Sequence, residues 1–193
     1  MRKIKLQMQI TVDGFVGGPN GELDWMTWNW DDALKNFVNE LTDSVDTILL
    51  GRKMTDGFVN HWTNIVKNRP DDESYPFAKK MVDKPKIVFT KTLDESNPIS
   101  AEWENTRLAK GDIVEEVNKI KNEQSGKDIV VYGGAGFVSS LIKNNLIDEF
   151  YLFVNPAAIG NGLSIFEGRT NLKFVKSISF SCGVVVLNYE PVK

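Results

Sequence analysis

Short apolar runs that stop abruptly at glycine, each followed by a helical stripe, constrain this chain more than any other feature. Val45–Leu50 (VDTILL) ends at Gly51-Arg52, and Asp128–Tyr132 (DIVVY) runs straight into Gly133-Gly134-Ala135-Gly136. Runs that are apolar on both faces need cover on both sides, as the strands of a parallel sheet do. The pattern recurs along the chain. Lys3–Val12 alternates Ile4, Leu6, Met8, Ile10 and Val12 with polar partners, which reads as a strand with one face buried. Lys86–Thr90 and Glu149–Val154 read as further strands, and Phe174–Phe180 and Gly183–Tyr189 as a closing hairpin through Ser181-Cys182-Gly183. Helical spacing marks Asp31–Thr42, a stretch after Gly51-Arg52 up to Trp62, Pro76–Val82, Asp112–Asn122 and Ala135–Asn145, with Asp112 as N-cap or first-turn acid. Asn64–Tyr75 and Asp94–Glu104 read as loops. The alternation predicts one α/β domain over residues 1–193, with a mostly parallel sheet, helices on both faces and an antiparallel edge.

Composition narrows the chemistry. One histidine, His61, and one cysteine, Cys182, cannot build a Cys/His zinc cage, and no metal site is expected. His61 beside Trp62 reads as a surface or packing residue, and Cys182 lies in a turn without a base. No G-x-S-x-G elbow and no P-loop is present. A net charge of −3 gives no basic footprint for nucleic acid or an anionic membrane. No apolar run approaches the roughly 20 residues of a membrane span. Gln7, Gln9 and Asp13 interrupt any signal-peptide core. A reducing, cytoplasmic setting is expected.

What remains is cofactor chemistry, carboxylate chemistry or plain binding. Gly51, Arg52 and Lys53 stand where a buried strand meets a helix start, a place that attracts phosphate through free N–H groups, a guanidinium fork and an ammonium. Read alone, that junction is better accounted for by a strand-ending glycine and two solvated bases. Gly133–Phe137 (GGAGF) forms a second such junction, where missing Cβ atoms let a ligand approach the backbone. It departs from G-x-G-x-x-G at Ser139, so an ordinary Rossmann fold is disfavoured. The glycine-rich loop after the first strand carries Trp25, Trp28 and Trp30, which suit either a cover over a flat ligand or an interface. Glu22, Asp24, Asp31 and Asp32 lie in or beside that loop, as candidates to bind a heterocycle or relay a proton.

These residues fall in the order of a known family. The VDGFVG loop, strand-GRKM-helix, KIVFTK, VVYGGAGF and LIDEFYLFVNPAAIGNGLSIF resemble the dihydrofolate reductase-like proteins related to the reductase domain of the bifunctional riboflavin-biosynthesis deaminase/reductase. The resemblance runs nearly end to end. It implies a three-layer fold around a mostly parallel eight-stranded sheet, and an NADPH-dependent reductase of a pyrimidine- or pterin-type heterocycle or ribosylamine.

On that resemblance Gly51, Arg52, Lys53 and the Met54 N–H would contact cofactor phosphates, with Arg52 near the 2′-phosphate. Thr90 and Lys91 would hold adenosine and its phosphate. Gly133 and Gly134 would be joined by a cis peptide, with Ala135, Gly136 and Phe137 leading toward the pyrophosphate. Gln9 and Val16 would line the nicotinamide site, and Trp25 and Pro156 the substrate side. Asp32 would relay a proton or anchor substrate, with Asp31 behind it. The resemblance further implies a homodimer. The family usually has threonine where Met54 stands, and the acid that orients the pterin in true dihydrofolate reductases matches Asp32 only with a one-residue shift. A non-catalytic nucleotide- or pterin-binding protein on the same fold is the alternative.

Overall fold

The computed structural model describes residues 1–93, 103–123 and 126–192. Along the chain run β1 (Ile4–Thr11), α1 (Asp32–Asp43), β2 (Val45–Gly51), α2 (Arg52–Asn68), α3 (Tyr75–Asp83), β3 (Lys86–Phe89) and β4 (Thr106–Ala109). Then follow α4 (Ile113–Lys121), β5 (Asp128–Gly133), α5 (Ala135–Lys143), β6 (Glu149–Asn155), β7 (Leu172–Ser179) and β8 (Val185–Pro191). The strands form an eight-stranded sheet in the order β4-β3-β2-β5-β1-β6-β8-β7. Pairing is parallel from β4 to β6, and β8 runs antiparallel to both β6 and β7.

Strand alternation builds two faces. Ile4, Leu6, Met8 and Ile10 of β1 meet Val117 and Ile120 of α4 and Val138 and Leu141 of α5 in the largest core. On the opposite face Ile48, Leu50, Val88 and Val130 meet Val59 of α2 and Met81 of α3. Beside them Leu34, Val38 and Leu41 of α1 lie against Phe153 and Val186. Each such buried side chain contributes about 1.5–3 kcal/mol, so the layers are fixed by the apolar periodicity itself.

Several elements depart from the sequence reading. β1 ends at Thr11, and Val12 beyond it is exposed. α2 continues past Trp62 to Asn68, because Ile65, 2% exposed, extends the buried stripe through an otherwise polar segment. The loop expected over Asn64–Tyr75 therefore begins only after Asn68. β4 was not foreseen: Thr106–Ala109 is a four-residue edge strand paired only with β3. α5 stops at Lys143, with Asn144 as C-cap and Asn145 in the left-handed region at φ 53°. Most of Asp94–Glu104 lies outside the described residues.

The amino edge of the sheet is tied by ion pairs. The Arg2 guanidinium, 7% exposed as a residue, donates to the Lys127 carbonyl at 2.6 Å, to Thr47 Oγ1 at 2.7 Å, and to the carboxylates of Glu123 and Asp46. Asp46 also accepts from the Lys127 N–H at 2.7 Å. Lys3 pairs with Glu149 at 2.6 Å, Lys5 with Asp128 at 2.9 Å, and Lys121 with Asp148 at 2.6 Å. Asp148 in turn accepts from the Ile4 N–H at 2.8 Å, which joins β1, α4 and the start of β6.

Candidate functional site

The opposite, carboxyl edge is built differently. α1 and α4 begin with an aspartate whose side chain takes up N–H groups: Asp31 accepts from Leu34 N, and Asp112 from Val114 N and Glu115 N. α2 and α5 begin at Gly51 and Gly134, with no side-chain cap. Their preceding strands are neighbours, with Leu50 paired to Gly133. Two helix starts thus lie side by side with N–H groups uncommitted to side chains, an arrangement that favours anions.

Glycine is required at this junction by its packing. A Cβ on Gly51 would lie 2.7 Å from Phe137 Cβ, so only glycine lets α5 start this close to β2. Gly133 adopts φ +141°, a conformation L side chains rarely take. The peptide bond between Gly133 and Gly134 is trans, and the expected cis bond is corrected: glycine's positive φ makes the turn instead. A Cβ on Gly136 would meet nothing within 4 Å, so the first turn of α5 faces open space. Met54 places its sulfur over Gly133, 2.8 Å from where a Cβ would stand.

Of the basic and hydroxyl groups beside this junction, Arg52 and Thr90 are held by hydrogen bonds. Arg52 Nη1 donates to Asp56 at 3.0 Å, and its guanidinium lies 6.0 Å from the centre of the Trp103 ring. Lys53 and Lys91 are exposed. Thr90 is buried, and its Oγ1 accepts from the N–H groups of Thr92 and Leu93, so the hydroxyl shapes the turn after β3. Phe137 stacks on Phe89 with centroids 4.7 Å apart.

On the other flank, β1 outruns β5. The last β1–β5 pair is Leu6 with Val131, whereas β1 pairs with β6 as far as Thr11 with Asn155. Beyond Leu6 the end of β1 therefore has β6 beside it but no longer β5, and Gln9 stands there half-buried. Asn155, 0% exposed, donates from Nδ2 to Gln9 Oε1 at 2.8 Å and accepts at Oδ1 from the Thr27 N–H at 3.1 Å. It thereby ties the tryptophan-bearing loop to β1. In that loop Trp25 donates to the Glu22 carbonyl, and Trp30 to the Thr27 carbonyl. Trp28, 68% exposed, stacks on Trp30. Val16 packs partly against the main core, and its N–H donates to the Leu163 carbonyl at 2.8 Å. Exposed Pro156 lies against the β7–β8 turn, near Gly183.

Asp31 and Asp32 part company in the structure. Asp31 caps α1 and also accepts from Ser181 Oγ at 2.7 Å and Cys182 N at 3.0 Å, so it clamps the β7–β8 turn to α1. The Ser181 hydroxyl, with the Leu34 N–H next, holds its pKa down at about 2. Asp32 is exposed in the first turn of α1. Glu22 is engaged by both donors of Asn20. His61 is exposed, its ring edge-on to Trp62.

Two residues of this edge escaped the sequence reading. Asn155 is a polar residue ending an apolar central strand, a signal visible in EFYLFVN. Asp13, in VDG, accepts from Thr11 Oγ1 at 2.6 Å and from the N–H groups of Ile159 and Gly160. The Thr11 hydroxyl and then the Gly160 N–H hold its carboxyl below the usual range. It pins the loop after β1 to the segment after β6.

Sheet order, three layers and an antiparallel final pair define the dihydrofolate reductase-like fold. Residues 2–186 match the RibD C-terminal domain, and the chain belongs to that family. It is 37% identical over 192 residues to the uncharacterized protein YyaP of Bacillus subtilis, covering 98% of this chain and 95% of YyaP. Among solved structures, RibD of Acinetobacter baumannii superposes with a TM-score of 0.70 at 14% identity, over 100% of this chain and 58% of that one. The Thermotoga maritima diaminohydroxyphosphoribosylaminopyrimidine deaminase/5-amino-6-(5-phosphoribosylamino)uracil reductase gives 0.62 at 20% identity, over 99% of this chain and 57% of that one. At these identities the likeness to the two structures is one of fold.

Proposed function

We propose that the chain is an NADPH-dependent reductase acting on a small heterocycle or ribosylamine of pyrimidine or pterin type. The observation that carries this reading is the pair of glycine-capped helix starts on adjacent strands, with Arg52 beside them. The open first turn of α5, where a side chain at Gly136 would meet nothing, leaves room for a pyrophosphate against Ala135, Gly136 and Phe137. Gly51, Lys53 and the Met54 N–H would hold further phosphate oxygens. Arg52, steadied by Asp56, would meet the 2′-phosphate, and Thr90 and Lys91 would border the adenosine. The substrate class follows the reductase named in the Thermotoga relative.

Bound there, a reduced nicotinamide supplies hydride to a C=N or C=O bond. The protein's share is to orient and to exclude water. Gln9 and Val16 would flank the nicotinamide, and Trp25 and Pro156 the substrate. The tryptophan loop, tied down through Thr27 and Asn155, would cover both. Asp32 would anchor substrate from the first turn of α1, whose start Asp31 fixes. We further propose a homodimer, supported by β7, an outermost strand on which Phe174 is 57% and Val175 44% exposed.

The test is oxidation of NADPH by the purified protein across a panel of pyrimidines, pterins and ribosylamines, read as loss of nicotinamide absorbance. Substrate-dependent oxidation is expected. The alternative, a non-catalytic binding protein, draws on Asp31: an acid held at about 2 and committed as a cap donates no proton near neutral pH. Saturable NADPH binding without oxidation by any panel member would establish that alternative. Sedimentation should show a two-chain mass, and a single-chain mass would overturn the dimer.

A further inference from the structure

We propose that Gln9 is a specificity-determining residue, presenting its side-chain N–H donor to a ring carbonyl of the bound heterocycle, in an orientation imposed by Asn155. This rests on the reading above, in which Gln9 flanks the nicotinamide, and it sets the substrate heterocycle against that ring, within reach of Gln9 and beneath the tryptophan-bearing loop. The argument starts from two backbone groups that can bond in only one sense. The Phe153 carbonyl, which only accepts, takes a hydrogen bond from Asn155 Nδ2 at 3.0 Å. The Thr27 N–H, which only donates, gives one to Asn155 Oδ1 at 3.1 Å. Flipping the Asn155 amide would break both, so its orientation is fixed.

The second hydrogen of Asn155 Nδ2 points at Gln9, 2.8 Å away, and what it meets there must be an acceptor. That acceptor is Oε1, which leaves Nε2 as the free end of the Gln9 amide. Among the described residues Nε2 has no hydrogen-bond partner, and the buried side-chain atom left unpartnered is Gln7 Oε1, not Gln9 Nε2. Gln9 Nε2 therefore reaches solvent, at the place where β1 runs on past β5. Asn155 is itself 0% exposed, and its bond to the Phe153 carbonyl is buried, where leaving it unmade is costly.

The outcome is a donor that cannot turn into an acceptor. A ring carbonyl placed against it gains a hydrogen bond. An exocyclic amino group at the same position sets donor against donor, and a buried polar mismatch of this kind discriminates strongly. The ligand class is thus a planar lactam or imide ring, in preference to its amino-substituted counterpart.

The experiment measures, by calorimetry on the full chain, the affinities of lumazine, whose pteridine ring carries carbonyls, and of diaminopteridine. Wild type is expected to bind lumazine about tenfold more tightly, the equivalent of one hydrogen bond. Gln9→Glu turns an oxygen outward and is expected to invert the preference, whereas Gln9→Leu is expected to erase it. Melting curves identify which variants are folded. Equal affinities in wild type, no binding of either probe, or a preference surviving Gln9→Glu or Gln9→Leu would overturn the inference. NADPH titrated in parallel separates the two readings. Saturation by NADPH without the carbonyl preference removes the role of Gln9 alone; a carbonyl preference without NADPH binding removes the reductase reading alone.

Discussion

The two edges of the sheet contrast sharply. At the amino edge, Arg2, Lys3, Lys5 and Lys121 pair with Asp46, Glu123, Glu149, Asp128 and Asp148 around the strand starts. At the carboxyl edge, two adjacent strands hand over to helices through Gly51 and Gly134 with no side-chain cap, and the first turn of α5 opens on empty space. One edge satisfies its polar groups internally. The other keeps donors in reserve, which a stable fold tolerates where water or a ligand can meet them. With the proposed function, the difference lodges stability and ligand binding at opposite ends of the same strands, so substitutions should separate them.

The largest effect is expected at the amino edge. Arg2→Ala removes a buried guanidinium with four acceptors and should destabilise the fold by about 3 kcal/mol, measured by urea unfolding, while NADPH affinity per folded molecule stays unchanged. Next comes Gly136→Glu at the opposite edge. A helix-forming acid in the first turn should keep or raise the melting temperature yet weaken NADPH by about thirtyfold through repulsion of its phosphates. A fall in both quantities together would dissolve the contrast between the edges. Arg52→Ala should weaken NADPH about tenfold more than NADH; equal weakening would place Arg52 away from the 2′-phosphate.

The smallest effect concerns Asp31, which caps α1 and clamps the β7–β8 turn at the carboxyl edge. Its folded pKa, about 2, lies below the unfolded value. Its contribution to stability is therefore present above a pH of about 4 and is lost as the pH falls through about 2. The difference in melting temperature between wild type and Asp31→Ala should narrow over that interval. A constant difference would show that the carboxylate is not what holds the clamp.

Much of this architecture is legible in the sequence because it depends on local pattern. The apolar alternation of Ile4, Leu6, Met8 and Ile10, and the two strand-to-glycine junctions, are visible without knowing what they pack against. An uncapped helix start is itself written as a glycine. The missed pieces depend on partners distant in the chain. Thr106–Ala109 has too little apolar pattern to mark a strand and becomes one by pairing with β3. The last turn of α2 is betrayed only by Ile65. Asp31 reads as a free acid until its partners Ser181 and Cys182, 150 and 151 positions away, are in place. Asn155 gains its meaning from Gln9 and Thr27, far away in sequence.

The most direct test of the central claim, that the glycine-capped carboxyl edge binds a dinucleotide phosphate, is a titration with NADPH and, separately, NADH. Tryptophan emission and energy transfer to the reduced nicotinamide report binding, since Trp25, Trp28 and Trp30 lie in the loop tied to β1 through Asn155. The account predicts saturation by NADPH at micromolar concentration, corresponding to about 8 kcal/mol, with much weaker binding of NADH. The absence of saturation by either nucleotide would contradict it.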